Sequence, residues 1–114
     1  MNKNATRYFS SKQEQQIAKK LNGNCQVNSG ATMFSKGDVI TNDWLIEAKT
    51  TLNEKQSFSI NQEWLDKLKK ESFAMNKEYY ALAFNFSPNA PNYYIMDERT
   101  MQKIVKIIAE NNNF

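Results

Sequence analysis

Asp38, Glu47 and Lys49 are the residues whose types and spacing best suit chemistry in this sequence. The strand-forming runs on either side of residues 42–43 predict a hairpin with a two-residue turn, which pairs Asp38 directly with Glu47. Alternation along the strands then puts Lys49 on the same face as both acids. Two carboxylates ~5 Å apart repel by roughly 3 kcal/mol at an effective dielectric of about 20. We therefore expect a positive charge beside them.

A third acid, Glu14, repeats this pattern on the first predicted helix. It precedes Ile17 by three residues and Leu21 by seven, so it lies on the apolar, core-facing stripe. Mg²⁺ prefers oxygen ligands and commonly binds a few carboxylates together with water and substrate phosphate. We expect Glu14 and the two hairpin acids to converge on Mg²⁺, for which Mn²⁺ would substitute. Lys49 would then orient the attacking water or balance charge on a phosphodiester oxygen.

Each of these residues also has an ordinary structural interpretation. Glu14 completes a capping-box pattern with Ser11. Glu47 and Lys49 suit a solvated pair on an exposed strand, and Asp38 suits a turn. None of these readings explains why three acids point to one place.

The composition excludes several other kinds of site. The chain has no histidine, which removes His-based acid–base chemistry, Ser/His and Cys/His nucleophile pairs, and most zinc sites. Its single cysteine, Cys25, forms no internal disulfide, and the start lacks the apolar stretch of a signal peptide. No apolar run approaches the roughly 20 residues that span a bilayer. These features favour a cytoplasmic protein.

Positive charge is concentrated in the first third of the chain. The net charge is +3, but residues 1–36 carry six cations and only one anion. This asymmetry favours a polyanionic partner such as nucleic acid, with Arg7, Lys12 and Lys36 as candidate phosphate contacts. A solvated surface is the alternative for at least half of the cations. With only two arginines, recognition through shape and backbone is favoured over base-specific readout.

The elements that position these residues predict one α/β domain, 1–114, in the order α-β-β-β-α-β-β-α. Residues 1–10 form a basic N-terminal arm and residues 111–114 a polar tail. The predicted helices cover 11–22, stopped by Gly23; 61–76, capped by Ser59 or Asn61; and the segment from an Asp97 cap to just before residue 111. The predicted strands cover 25–28, 39–41, 44–49, 79–86 and 93–96, and residues 29–31 form a loop.

Two apolar patterns have alternative interpretations. The final helix carries a stripe formed by Met101, Ile104, Val105 and Ile108. The tyrosines of the last two strands could stack on nucleic-acid bases, although alternating aromatic residues in strands are more typical of a core or a dimer surface.

The motif Gly37-Asp38-Val39, followed by Ile46-Glu47-Ala48-Lys49-Thr50, resembles the Asp…Glu-x-Lys signature of the PD-(D/E)XK nuclease superfamily. More narrowly, the chain is similar to the small Holliday junction resolvases of archaeal and phage type. The likeness covers residues 11 to 86 and includes Glu14, the Ser29-Gly30 loop and Thr50-Thr51. Gly37 stands where the superfamily name has proline, which is a common variation.

This resemblance implies a restriction-endonuclease-like core and a role for each matching residue. Asp38 and Glu47 would be the principal metal ligands, joined by the Ala48 carbonyl and by Glu14 directly or through water. Lys49 would be the catalytic lysine, while Ser29 and Gly30 would approach the DNA backbone.

We therefore expect a Mg²⁺-dependent endonuclease that acts as a homodimer on four-way DNA junctions in recombination or phage genome processing. Two alternatives remain: a less structure-selective DNA nuclease, and a non-catalytic DNA-binding subunit that keeps the fold.

Overall fold

The computed structural model of the chain describes residues 3–26 and 38–112, with the side chains of helix α1 described from residue 7. Its helices are α1 (Lys3–Leu21), α2 (Gln62–Ala74) and α3 (Glu98–Asn111), and its strands are β1 (Asn24–Cys25), β2 (Asp38–Ile40), β3 (Trp44–Lys49), β4 (Tyr79–Phe84) and β5 (Tyr93–Ile95). The element order is the one that the sequence predicts. The last residues of the predicted first strand and the predicted 29–31 loop lie outside the described residues.

The five strands form one mixed sheet in the order β1-β2-β3-β4-β5. Strands β3 and β4 are parallel, because helix α2 carries the chain across the sheet between them, and the other neighbours are antiparallel. The sheet with its three helices confirms the predicted α/β class.

Alternation along the strands builds a small core on each face of the sheet. On the face covered by α1, Ile17 packs with Val39 and Ile46 and with alanines of β4. On the face covered by α2, Leu45, Leu68 and Leu82 are fully buried. Strand β4 contributes to both cores, as predicted for a central strand with two buried faces.

Helix α1 is longer than the predicted 11–22 helix. It begins at Lys3, so residues 3–10 of the predicted N-terminal arm are helical and Ser11 is not an N-cap. The Ser11 hydroxyl instead accepts a hydrogen bond from Gln15 Nε2 one turn later, at 3.1 Å. Residues 3–10 contain no glycine or proline, so no helix-breaking residue prevents the helix from including them.

The turn after α1 uses Asn22 and Gly23 in different ways. Asn22, not the predicted Gly23, takes the left-handed conformation that ends the helix, with φ 55°. Gly23 is needed for space, because a Cβ atom there would lie 2.7 Å from the carbonyl oxygen of Ile40 on the neighbouring strand.

The other two helices begin at side-chain caps. The Asn61 side chain accepts the N–H of Glu63 at 2.8 Å, which selects Asn61 over Ser59 as the cap of α2. Asp97 accepts the N–H of Thr100 at 2.9 Å, which confirms the predicted cap of α3. The α3 stripe forms as predicted, but Met101, Val105 and Ile108 are each more than half exposed.

Candidate metal centre and active site

The β2–β3 hairpin sets the two central carboxylates side by side. Asp38 pairs with Glu47, as predicted, and both lie on the face of the sheet that packs against α2. The connection has two residues, Asn42 and Asp43, as predicted, and neither is among the described non-glycine residues with positive φ. Instead the Thr41 hydroxyl accepts the N–H groups of Asp43 and Trp44, at 3.2 and 3.0 Å, and so closes the turn without a left-handed residue.

Asp38 is the most strongly perturbed acid of this hairpin. Asp38 is only 3% exposed to solvent. Burial first, and then the charge of Glu47, raise its pKa to about 7, with smaller contributions from Glu71 and Glu14. Burial also raises the pKa of Glu47, and the ammonium of Lys49 opposes that effect. The site therefore holds carboxylates close together in an environment that disfavours their negative charge.

Glu14 lies on α1, which covers the opposite face of the sheet from Asp38 and Glu47, so the structure does not bring the three acids together as one ligand set. It is half-buried on α1, where Ser10 Oγ donates a hydrogen bond to its Oε2 at 2.9 Å. Burial raises the pKa of Glu14, and the charge of Glu14 in turn helps burial to raise the pKa of the Cys25 thiol. The charge of Glu14 also raises the pKa of Asp38, but less strongly than the charges of Glu47 and Glu71 do.

Lys49 is held at both its side chain and its backbone. Its Nζ lies 4.1 Å from the centre of the Trp64 ring, a cation–π contact that fixes the ammonium beneath α2. Its carbonyl oxygen accepts a hydrogen bond from Gln13 Nε2 at 3.0 Å. The end of strand β3 is therefore bound on one side by Gln13 of α1 and on the other by Trp64 of α2.

Gln13 is a part of the site that the sequence does not predict. This residue is 4% exposed, and its Nε2 also donates to Asn92 Oδ1 at 2.9 Å while its Oε1 accepts from the Thr50 hydroxyl at 2.9 Å. The buried amide thus uses three hydrogen bonds to join α1 to the end of β3 and to the β4–β5 loop. Only its position next to Glu14 could have drawn attention to it.

Helix α2 adds a second unpredicted pair, Lys67 and Glu71. Their Nζ and Oε1 atoms lie 3.8 Å apart, one helical turn from each other. Glu71 raises the pKa of both Asp38 and Glu47, whereas Lys67 lowers it. The sequence places both residues off the apolar stripe of α2. Their contribution follows from the β3–α2–β4 crossover, which lays the helix over the face that carries the acids.

The chemistry of this donor set suits a hard divalent cation. Across residues 3–26 and 38–112, no three Asp, Glu or Cys side chains lie close enough together to form a ready-made ligand set. One or two carboxylates with water and substrate phosphate are, however, a common environment for Mg²⁺. The facing pair of Asp38 and Glu47, one of them buried and unfavourable as an anion, fits that environment. Binding by the Ala48 carbonyl stays a prediction, and the Ala48 side chain packs on the opposite, α1 face.

The predicted nucleic-acid contacts lie in two regions. Arg7 is exposed on α1, and Lys12 lies beside Thr50 and Asn85 at a small polar hollow near the end of β3. Ser29, Gly30 and Lys36 lie outside the described residues.

Comparisons with protein-family models, curated proteins and solved structures find no match. In the part of the chain that the structure describes, no helix is both long and apolar enough to cross a membrane.

Proposed function

We propose that this chain is a Mg²⁺-dependent DNA endonuclease with a restriction-endonuclease-like fold, acting on branched, four-way DNA in recombination or phage genome processing. The observation that carries the proposal is the direct pairing of Asp38 with Glu47, with Lys49 two residues further along the same face. This combination supplies anionic oxygens for a cation and an ammonium group beside them.

Each side chain has a role that follows from its surroundings. Asp38 and Glu47 would hold the ion, and Glu14, on α1, would support it only through water. Mg²⁺, when bound, stabilises negative charge on phosphate oxygens and favours deprotonation of water. Lys49, held over Trp64, donates to a phosphate oxygen or orients the attacking water. Lys67 and Glu71 adjust the charge at the margin of the site.

Electrostatics supports a cation in this place. The fold buries Asp38 and pairs it with Glu47, and the charges of Glu71 and Glu14 add to the effect, which makes its ionised form unfavourable. A bound divalent cation offsets that cost, and phosphate groups then enter a region that would otherwise repel them. The exposed cations of α1 supply further attraction for a DNA backbone.

The exposed stripe of α3 supports a homodimer. Met101, Val105 and Ile108 follow one another at helical spacing along a helix of 14 residues, about 21 Å in length. A single apolar helix of this length gains most of its stability from packing, so we assign its exposed side to a second copy of the chain. Two copies related by a two-fold axis suit symmetric cleavage of a four-way junction.

The test is cleavage of labelled four-way DNA by the purified chain in Mg²⁺, in Mn²⁺ and in chelator. We expect cutting only with metal, and at least a roughly 100-fold loss of rate for Asp38→Asn and Glu47→Gln. Asp43→Asn is the matched control, because Asp43 is an exposed acid in the turn of the same hairpin. Folded protein that cuts no DNA under any condition would contradict the enzymatic proposal.

Competition then distinguishes the kinds of nuclease. We expect four-way DNA to compete better than linear duplex or single strands for the enzyme. Equal competition by all three would leave a nuclease without preference for junctions. An Asp38→Asn variant as active as the unmodified chain would contradict the assigned site.

A further inference from the structure

A row of aromatic side chains runs across the α2 face of the sheet next to Lys49. We call it the aromatic row, and it consists of Trp64, Phe58, Phe84, Phe86 and Tyr93. Its ring centres are separated by 6.4 Å between Trp64 and Phe58, 4.8 Å between Phe58 and Phe84, 5.9 Å between Phe84 and Tyr93, and 5.6 Å between Tyr93 and Phe86. These spacings are those of rings in mutual contact.

The strand register fixes where the aromatic row lies relative to the site. Lys49 pairs with Phe84 on β4, and Phe84 pairs with Tyr93 on β5, so the three side chains lie side by side on one face. Two strand spacings put Tyr93 about 10 Å from Lys49 across the sheet. The inner end of the row, Trp64, lies against the Lys49 ammonium itself.

The two ends of the aromatic row differ in exposure. Trp64 on α2 and Phe84 on β4 are partly buried, whereas Tyr93 is 57% exposed. Phe84 makes a tilted contact and Phe86 an edge-on contact with the Tyr93 ring. An aromatic side chain that is fixed by its neighbours and still open to solvent is suited to stacking with a planar partner.

The charges beside the aromatic row indicate which planar partner fits. Lys49 lies at the inner end. At the outer end the backbone N–H of Lys55 donates to the Phe86 carbonyl at 2.7 Å, which fixes the backbone of this exposed lysine beside the row. An aromatic surface with the Lys49 ammonium at one end and the backbone of a second lysine at the other matches a nucleotide, which combines an anionic phosphate with a flat base. An uncharged aromatic ligand or an apolar peptide would leave both cations unused.

We propose that the exposed face of Tyr93 is a stacking site for an unpaired nucleobase of the DNA, close to the phosphate that is cut. The site rests on the proposed function for its substrate, and it adds a source of selectivity. At the 3.4 Å rise per nucleotide of a DNA strand, ~10 Å corresponds to about three nucleotides from Lys49. Bases in a continuous duplex are stacked on each other and unavailable, whereas branch points and single-stranded tails expose bases that Tyr93 can hold.

The test measures binding in chelator, so that it does not depend on catalysis. The probes are a blunt fluorescent duplex and the same duplex with a single-stranded tail that carries 2-aminopurine. We expect Tyr93→Ala to weaken binding of the tailed DNA by roughly 5- to 150-fold, the range for one base–aromatic stack, and to leave the blunt duplex unaffected. Tyr93→Phe should keep the affinity and the quenching of 2-aminopurine on binding. Phe73→Ala is the matched control, because Phe73 is an exposed aromatic residue near the end of α2 that belongs neither to the aromatic row nor to the proposed metal site.

The outcomes separate this site from the proposed function. Loss of tailed-DNA affinity in Tyr93→Ala without any Mg²⁺-dependent cutting would support the base site and contradict the nuclease. Mg²⁺-dependent cutting together with unchanged binding of tailed DNA by Tyr93→Ala would support the nuclease and contradict the base site. Equal weakening of blunt and tailed DNA, or failure of the unmodified chain to bind the tailed probe, would overturn the base site.

Discussion

Asp38 is the residue at which stability and the proposed function oppose each other most directly. Its folded-state pKa, about 7, lies above its ordinary value of 3.8, chiefly because of burial. As the pH rises, the unfolded chain therefore releases this proton before the folded chain does, and the metal-free protein becomes less stable between about pH 4 and pH 7. We expect the free energy of unfolding to fall by up to about 4 kcal/mol over this range, and Asp38→Asn to remove most of that fall.

Urea denaturation in chelator at a series of pH values measures this effect. Asp43→Asn, in the exposed turn of the same hairpin, should keep the pH dependence of the unmodified chain. Adding Mg²⁺ above pH 7 should restore stability, because the ion binds the folded, deprotonated site. An Asp38→Asn variant that loses stability as steeply as the unmodified chain would show that Asp38 is not the group responsible.

The sequence predicts the central acids but not their neighbours. A two-residue connection fixes strand register, so the pairing of Asp38 with Glu47 follows from local pattern alone. Glu71 and Gln13 could not be found in this way, because helical spacing says which face a residue occupies but not which strand that face meets. Their positions depend on how α1 and α2 pack across the sheet.

Gln13 connects three elements and should contribute accordingly to stability. Its buried amide bonds to Lys49, Thr50 and Asn92, so Gln13→Ala leaves several of these groups without a partner. We expect the free energy of unfolding to fall by about 1–3 kcal/mol, the range for losing buried hydrogen-bond partners. Chemical denaturation measures the loss directly.

Gln15→Ala is the matched control for this prediction. Gln15 lies on the same helix and also donates a side-chain hydrogen bond. Gln15 is exposed, however, and the acceptor of that bond, Ser11, belongs to the same helix. We expect it to change stability by less than about 0.5 kcal/mol. Equal effects of the two substitutions would mean that Gln13 does not tie the elements together.

At the level of elements, local pattern predicts the existence of each helix and strand better than its ends. The residues Ser11 and Glu14 match a helix start, yet the helix continues through them to Lys3, because the side chains of Ser10 and Ser11 bond within the helix instead. Periodicity in α3 predicts an apolar stripe but does not identify what covers it. What covers the stripe depends on how copies of the chain pack together, which the periodicity of one helix does not encode.

The whole molecule leaves an apolar surface open at one end. Within residues 3–26 and 38–112, the first turns of α3 are attached through buried Thr100 and the Lys103–Glu78 ion pair at 3.3 Å. Beside the start of α3, an apolar groove of about 370 Å³ opens on the α1 face, lined chiefly by Leu21, Trp44, Ile46, Tyr94 and Met96. A stable interface buries about 800 Å² per partner, so we assign the groove and the stripe together to the second copy.

Changing this surface should separate the copies without unfolding the chain. In the dimer that we propose, a two-fold axis near the middle of α3 would set Met101 of one copy against Ile108 of the other, with Val105 close to the axis. Val105→Glu puts an unpaired charge into that contact, and we expect the dimer dissociation constant to rise by roughly 30-fold or more. Lys106→Glu, the next residue and off the stripe, should leave the dimer intact. Sedimentation at micromolar concentration measures both variants; an unmodified chain that sediments as a monomer, with and without DNA, would contradict paired cutting of a junction, because one copy carries one set of acids for two strands.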